Sequence, residues 1–142
     1  MLKYRCPHCG KVAFSNGDIP SSTIYEDDFF RVILDLSPAT KGHALILPKQ
    51  HMADIFEMNE DLAAKVFVLA NKIAKAMKEA LGCDGLNIVQ NNGSTAGQTV
   101  FHFHMHLIPR YINDGQTISW IPGTSEPEER EAVAKQIRAI LN

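Results

Sequence analysis

In the stretch HFHMHLIPR, residues 102–110, imidazoles recur at every second position: His102, His104 and His106, with Phe103 and Met105 between them. On a β-strand alternate side chains share a face, so a strand over 99–108 would line the three rings up roughly 6.6 Å apart. Phe101, Phe103, Met105 and Leu107 would then form the opposite, core-facing side. A polar strand face can carry histidine by chance, but three of the chain's six histidines fall on this one face. Two chemistries use such a row. His-x-His on a strand can chelate zinc with a further ligand from elsewhere. Alternatively, one neutral imidazole attacks as a nucleophile while its neighbours handle charge and protons.

The loop just upstream, NNGSTAGQ (91–98), favours the second chemistry. Asn91, Asn92, Ser94, Thr95, Gln98 and the following Thr99 offer neutral hydrogen-bonding groups, and Gly93 and Gly97 permit close backbone approach. Such a loop suits phosphate oxygens and is poor at ligating zinc. Most polar glycine loops are plain hairpin connections. This one leads directly into three aligned histidines, which points to a phosphoryl site.

A second chemical motif is CPHCG, residues 6–10. As a redox Cys-x-x-Cys it would need a strand before it and a helix after it to lower the first thiol's pKa. Only five residues precede Cys6, and GKVAFSNGDIP is not a helical sequence, so redox catalysis is rejected. As a zinc knuckle the pair supplies half of a tetrahedral site. The chain has no second cysteine pair, and Cys83, beside Gly82, reads as a packing residue or inert thiol. The missing ligands must then be histidines, with His43, His51 and one of the three aligned rings as candidates. An exposed dithiol without metal is the plainer alternative.

The elements that must position these groups are short strands and one long helix. IYEDDFFRVILDL (24–36) gives two strand-like runs around a turn at Asp27-Asp28, and HALILPK (43–49) is a buried-strand pattern. In 59–82, Leu62, Val66, Leu69, Ile73, Met77 and Leu81 recur at helical spacing, with Asn59 as N-cap and Gly82 as terminator. LNIVQ (86–90) is a further strand, and Pro109 is expected to end the pairing of the histidine strand. Asn16-Gly17-Asp18 and Pro20-Ser21-Ser22 read as turns. At the end, Ser125-Glu126-Pro127-Glu128 has capping-box spacing before an amphipathic helix carrying Val133, Ile137, Ile140 and Leu141. Closely spaced strands outnumber helices, which implies an α+β fold with a mainly antiparallel sheet.

Composition bounds the rest. The 142 residues make one domain, 45% apolar and 21% charged, as expected of a globular chain. With 14 Lys+Arg against 16 Asp+Glu, net charge −2 and no basic block, nothing builds the field that nucleic-acid binding needs. The N-terminus has no apolar leader and no run approaches membrane length, so a soluble, cytoplasmic protein is expected.

His102-Phe103-His104-Met105-His106-Leu107-Ile108 resembles the His-x-His-x-His-x-x signature of the histidine-triad, or HIT, nucleotide-binding proteins. DIPSSTIYEDD, ILDLSP, KGHALILPKQH and NNGSTAGQTVFHFHMHLIPR resemble HIT segments in the right order, so the likeness spans 6–111 within a single domain over 1–142. It is most similar to the bacterial branch that includes adenosine 5′-phosphoramidases. The resemblance implies a five-stranded antiparallel sheet with two helices, paired as a homodimer, with 112–142 a variable C-terminal segment.

The resemblance also implies roles. His104 matches the nucleophile that attacks the α-phosphorus and carries a nucleotidyl intermediate, with His106 as its catalytic neighbour. Asn91, Gly97, Gln98, Thr99 and His106 match positions around the phosphate, and Asp35 the carboxylate that binds ribose hydroxyls. Cys6, Cys9, His51 and His102 match the ligands of a structural zinc, with His8 between the cysteines as a rival ligand. No catalytic metal is implied. His43, in GHALILP, reads equally as a buttress for the triad or as a satisfied core histidine.

The expected function is hydrolysis at the α-phosphate of purine nucleoside monophosphate conjugates, with AMP conjugates as the small-molecule partners. Within the same superfamily, a dinucleoside polyphosphate hydrolase is the alternative. A uridylyltransferase of related fold is longer and has Gln where this chain has His106. From other classes, the alternatives are a nucleotide-binding module with little turnover and a hydrolase whose three histidines all bind metal.

Overall fold

The structure is a computed structural model that describes residues 22–141. Cys6, His8, Cys9 and the turns expected before Ser22 therefore lie outside the described residues. Strands β1 (Thr23–Glu26) and β2 (Phe30–Leu34) form a hairpin, followed by β3 (Ala44–Pro48) and helix α1 (Glu60–Leu81). Then come β4 (Gly85–Val89), β5 (Met105–Arg110) and helix α2 (Pro127–Leu141). The strands make one antiparallel sheet in the order β1-β2-β3-β5-β4. This is the α+β sheet with two helices expected from the sequence.

Local chemistry explains the boundaries. Asp27 turns the first hairpin by accepting the Phe29 and Phe30 N–H groups through Oδ1. Asn59 caps α1 by accepting the Leu62 N–H, and Gly82 ends it at φ 62°, a left-handed geometry suited to glycine. The helix buries Leu62, Val66, Leu69, Ala70, Ile73 and Met77 against Phe30, Val32, Ala44, Ile46, Phe103, Met105 and Leu107. Each such large side chain contributes about 1.5–3 kcal/mol by leaving water. Because Met105 and Leu107 face this core, His106 between them faces the other side of the sheet.

Two sequence expectations are corrected here. The histidine strand begins at Met105 rather than Thr99, so His102 and His104 precede it and Phe101 is exposed rather than packed in the core. The ladder with β3 covers Ala44↔Leu107, Leu45↔His106 and Ile46↔Met105 and then stops. Further along β3 stands Pro48, which has no N–H to give, and its carbonyl is taken by the His102 ring. Pro109, in turn, lies inside β5, opposite Leu86, rather than ending it. Its carbonyl points to the Thr40 hydroxyl, beyond the first residue of β3, so no ladder partner is denied an N–H.

The C-terminal cap also differs by one residue. Glu126 supplies the first helical carbonyl, to Arg130 N–H, and Glu129 reaches back to the Glu126 N–H. Ser125 instead accepts from the Arg130 guanidinium. The helix contributes no buried residue: Val133, Ile137, Ile140 and Leu141 are all more than half exposed. No helix among the described residues is long and apolar enough to cross a membrane.

Candidate active site

Strand β3 acts as a ruler for four histidines. At its start, His43 meets His106, with Nε2 2.9 Å from Nδ1. At its end, His51 meets His102, with the two Nδ1 atoms 3.0 Å apart. Between the pairs lies His104, whose ring centroid is 5.0 Å from that of His106. The triad is thus divided between two pairs rather than standing as three rungs of one strand.

Hydrogen bonds to the backbone decide which nitrogen of each ring carries the proton. His104 Nδ1 lies 2.8 Å from the His102 carbonyl oxygen, which can only accept, so Nδ1 is the N–H and the lone pair is on Nε2. His102 Nε2 lies 2.9 Å from the Pro48 carbonyl, which puts its proton on Nε2 and its lone pair on Nδ1, facing His51. At His43 the direction reverses. Its Nδ1 accepts the Ala39 N–H at 2.9 Å, so neutral His43 holds its proton on Nε2 and donates to His106 Nδ1. His106 then keeps its own proton on Nε2, as a donor for a ligand.

Burial favours the neutral form of His106, His102 and His43. It pushes His106 down to about 4, helped by the neighbouring His104 and His43 rings and opposed by the Asp35 carboxylate. Burial likewise brings His102, wholly enclosed, to about 4, with the Pro48 hydrogen bond working against it and His51 and His104 adding to it. The His43 pKa is lowered by burial, with Asp35 pulling the other way.

The same tautomer logic separates two metal candidates. Asp35, His43 and His106 bring one ligand atom each within 4.8 Å of one another. A cation there would need the His43 Nε2 lone pair, which the Ala39 N–H forbids while it occupies Nδ1. The His51–His102 pair suits a metal better. Two nitrogens on one tetrahedral zinc stand about 3.3 Å apart, close to the 3.0 Å seen here. The His102 Nε2–H bond to a carbonyl is the outer-shell support such a ligand ordinarily has.

The phosphate-loop candidates fall together in the connection from β4 to the start of β5. Gly93 (φ 88°) and Gly97 (φ 91°) bracket a single 3-10 turn, Ser94–Ala96, and both take backbone angles that favour glycine. Asn91 lies against Gly97, its amide nitrogen 3.6 Å from where a Cβ would sit. Thr99 is exposed. Gln98 differs from expectation: it is buried, and its side chain is spent on the loop itself. Its Oε1 accepts the Gly93 N–H at 2.7 Å, and its Nε2 donates to the carbonyls of Ala53 (2.6 Å) and Val100 (3.0 Å). Asp35 follows β2, with Oδ1 held by the Ser37 N–H and Oδ2 3.6 Å from His43 Nε2. Sequence reasoning missed Ala39 and Pro48, which act through backbone atoms. Asn92, one of the loop's expected neutral groups, accepts the Ile55 N–H at 2.7 Å.

Residues 16–113 match the HIT domain family, most of the described chain and the whole of this site. The chain belongs to the HIT family. A solved structure of a HIT family member from Bacillus subtilis is 41% identical, with TM-score 0.81, covering 87% of this HIT chain and 89% of that one. The Schizosaccharomyces pombe protein named adenosine 5′-monophosphoramidase hnt1 is 36% identical over 122 residues, 85% of this chain and 89% of its own. A zinc-bound histidine triad family protein from Mycobacterium smegmatis is 39% identical, with TM-score 0.67 over 87% of this chain and 91% of that one. The α2 helix of the HIT chain lies beyond the matched residues.

Proposed function

We propose that this HIT chain is a nucleotide hydrolase acting at the α-phosphate of purine nucleoside monophosphate conjugates, phosphoramidates above all. The observation that carries the reading is the 2.8 Å bond from His104 Nδ1 to the His102 carbonyl, which leaves a neutral nucleophile's lone pair on Nε2. His104 Nε2 attacks phosphorus in line, its bond to phosphorus forms as the substrate P–N bond breaks, and the amine leaves with a proton taken from solvent. Water then releases the nucleotide from His104. His106 Nε2–H and the loop around Asn91, Gly97 and Thr99 donate to phosphate oxygens, where developing charge is held by preorganised dipoles. Gln98 keeps that loop in shape, and Asp35 Oδ2 accepts from the ribose hydroxyls.

Zinc fits at His51 and His102, with Cys6 and Cys9 proposed to complete the set. Bound there it would tie the N-terminal segment to the end of β3, a structural task. The chain's own residues perform the reaction. We also propose a cytoplasmic homodimer; the exposed apolar stripe of α2 supports pairing, since an isolated helix of that length is marginal in water.

The test is AMP release from adenosine 5′-phosphoramidate by wild type and by folded His104→Ala, each with and without chelator. Chelator-resistant turnover that disappears in the variant is expected. AMP binding with no turnover on this substrate or on dinucleoside polyphosphates would contradict the reading and leave a binding module.

A further inference from the structure

We propose that His43 is a positioning residue that reports ribose engagement at Asp35 to His106, by sharing its single Nε2 proton between the two while Asp35 is empty and committing it fully to the His106 ring when Asp35 is occupied. The inference rests on the nucleotide-hydrolase reading for the identity of the ligand. Its physical core is the geometry of three side chains on the site face.

His43 is buried, and the Ala39 N–H on its Nδ1 confines its one proton to Nε2. That proton faces two acceptors. His106 Nδ1 is at 2.9 Å, and the Asp35 Oδ2 carboxylate oxygen is at 3.6 Å. The nearer acceptor is neutral and the farther one is charged, and hydrogen bonds to ions are roughly twice as strong as neutral ones. A small ring movement therefore trades one bond for the other.

Asp35 cannot easily relieve the competition by itself. Its Oδ1 is engaged by the Ser37 N–H at 2.8 Å, which leaves Oδ2 as the oxygen open to either His43 or a ligand. A nucleoside hydroxyl that donates to Oδ2 reduces that oxygen's pull, and the His43 proton settles on His106. His106 is then held as the Nε2–H tautomer, with a donor rather than a lone pair toward phosphate oxygens. With His43 turned to Asp35, both His106 tautomers are open, and the one bare at Nε2 repels those oxygens. Ribose binding thus acts on the chemical step as well as on affinity.

The test reads the imidazole nitrogens of His106 by NMR in the full chain, alone and with AMP or 2′,3′-dideoxy-AMP. In wild type AMP should drive His106 fully to the Nε2–H form, and dideoxy-AMP should not. His43→Leu should show mixed tautomers with either ligand, whereas His43→Gln, which retains an N–H donor, should restore the Nε2–H form. In kinetics, the wild-type kcat for the dideoxy phosphoramidate should fall roughly three- to tenfold, the worth of one ordinary hydrogen bond. That kcat difference should vanish in His43→Leu.

Identical His106 signals with both nucleotides, or an unchanged tautomer in His43→Leu, would overturn the proposal. So would a ribose effect confined to KM. Absence of turnover on either substrate would instead defeat the hydrolase reading, and the nitrogen signals, which need only AMP binding, would still decide the role of His43.

Discussion

His104 Nδ1 donates to the carbonyl oxygen of His102 at 2.8 Å, and this bond sets the first two members of the triad apart. His102 supplies a backbone acceptor and directs its ring at Pro48 and His51. His104 receives a defined tautomer, with its lone pair on Nε2. The His104 proton is therefore placed by main chain rather than by a neighbouring acid, which suits the neutral nucleophile proposed for this ring.

Replacement of His104 should remove turnover with little effect on stability. The ring is partly exposed and outside the core cluster, so His104→Ala should change unfolding free energy by about 1 kcal/mol or less. Turnover should fall by roughly 10³-fold or more, as when a nucleophile is deleted from a concerted site. Paired urea titrations and AMP-release rates check both halves.

Acid should weaken the fold through His106. Its folded pKa of about 4 lies below the ordinary unfolded value near 6.5. In the window between them the unfolded chain binds more protons, so stability falls as pH drops from about 6.5 to about 4 and levels off below. The shift corresponds to about 3 kcal/mol. His102 contributes in the same direction. Urea midpoints at pH 7, 5 and 4 should decline steadily, and equal midpoints would refute the assignment.

Gln98→Ala should damage the phosphate loop from within. The substitution removes one acceptor and two donor bonds from a buried residue and leaves the Gly93 N–H without its partner. A cost of about 2–3 kcal/mol is expected, together with weaker AMP binding measured by calorimetry. Unchanged affinity would separate Gln98 from the loop's function.

Metal content should follow the pairing at the end of β3. Purified protein should carry about one zinc per chain. His51→Ala should lose it, and His104→Ala should keep it, by elemental analysis of dialysed samples. Loss of zinc in the His104 variant would favour a metal held by the triad itself.

Much of this fold was legible because its signals are local. The Asn59 cap, Gly82 at positive φ and the Asp27 turn each act within four residues, and they bounded α1 and the first hairpin correctly. The histidine strand was overextended because alternation describes the chain alone, whereas a strand needs partners. At Pro48 the partners run out, and no feature of 99–104 announces it. The site residues were recognisable by type and spacing, but their pairing was not. His43 and His106 are 63 positions apart, and His51 and His102 are 51 apart. The tautomers depend on the Ala39 N–H, which any residue but proline can supply, and on the His102 and Pro48 carbonyls, which any residue can. The Gln98 amide is bonded within its own loop, which sequence does not reveal, since a buried amide and a ligand-binding amide look alike there.

The most direct test of the central claim is to stop a single turnover of adenosine 5′-phosphoramidate in alkali, which spares P–N bonds to histidine, and to map the modified peptide by mass spectrometry. The account predicts a transient nucleotidyl adduct on the peptide spanning 102–110, located at His104 and absent from His104→Ala. Turnover that proceeds without any such adduct, with water attacking phosphorus directly, would contradict it.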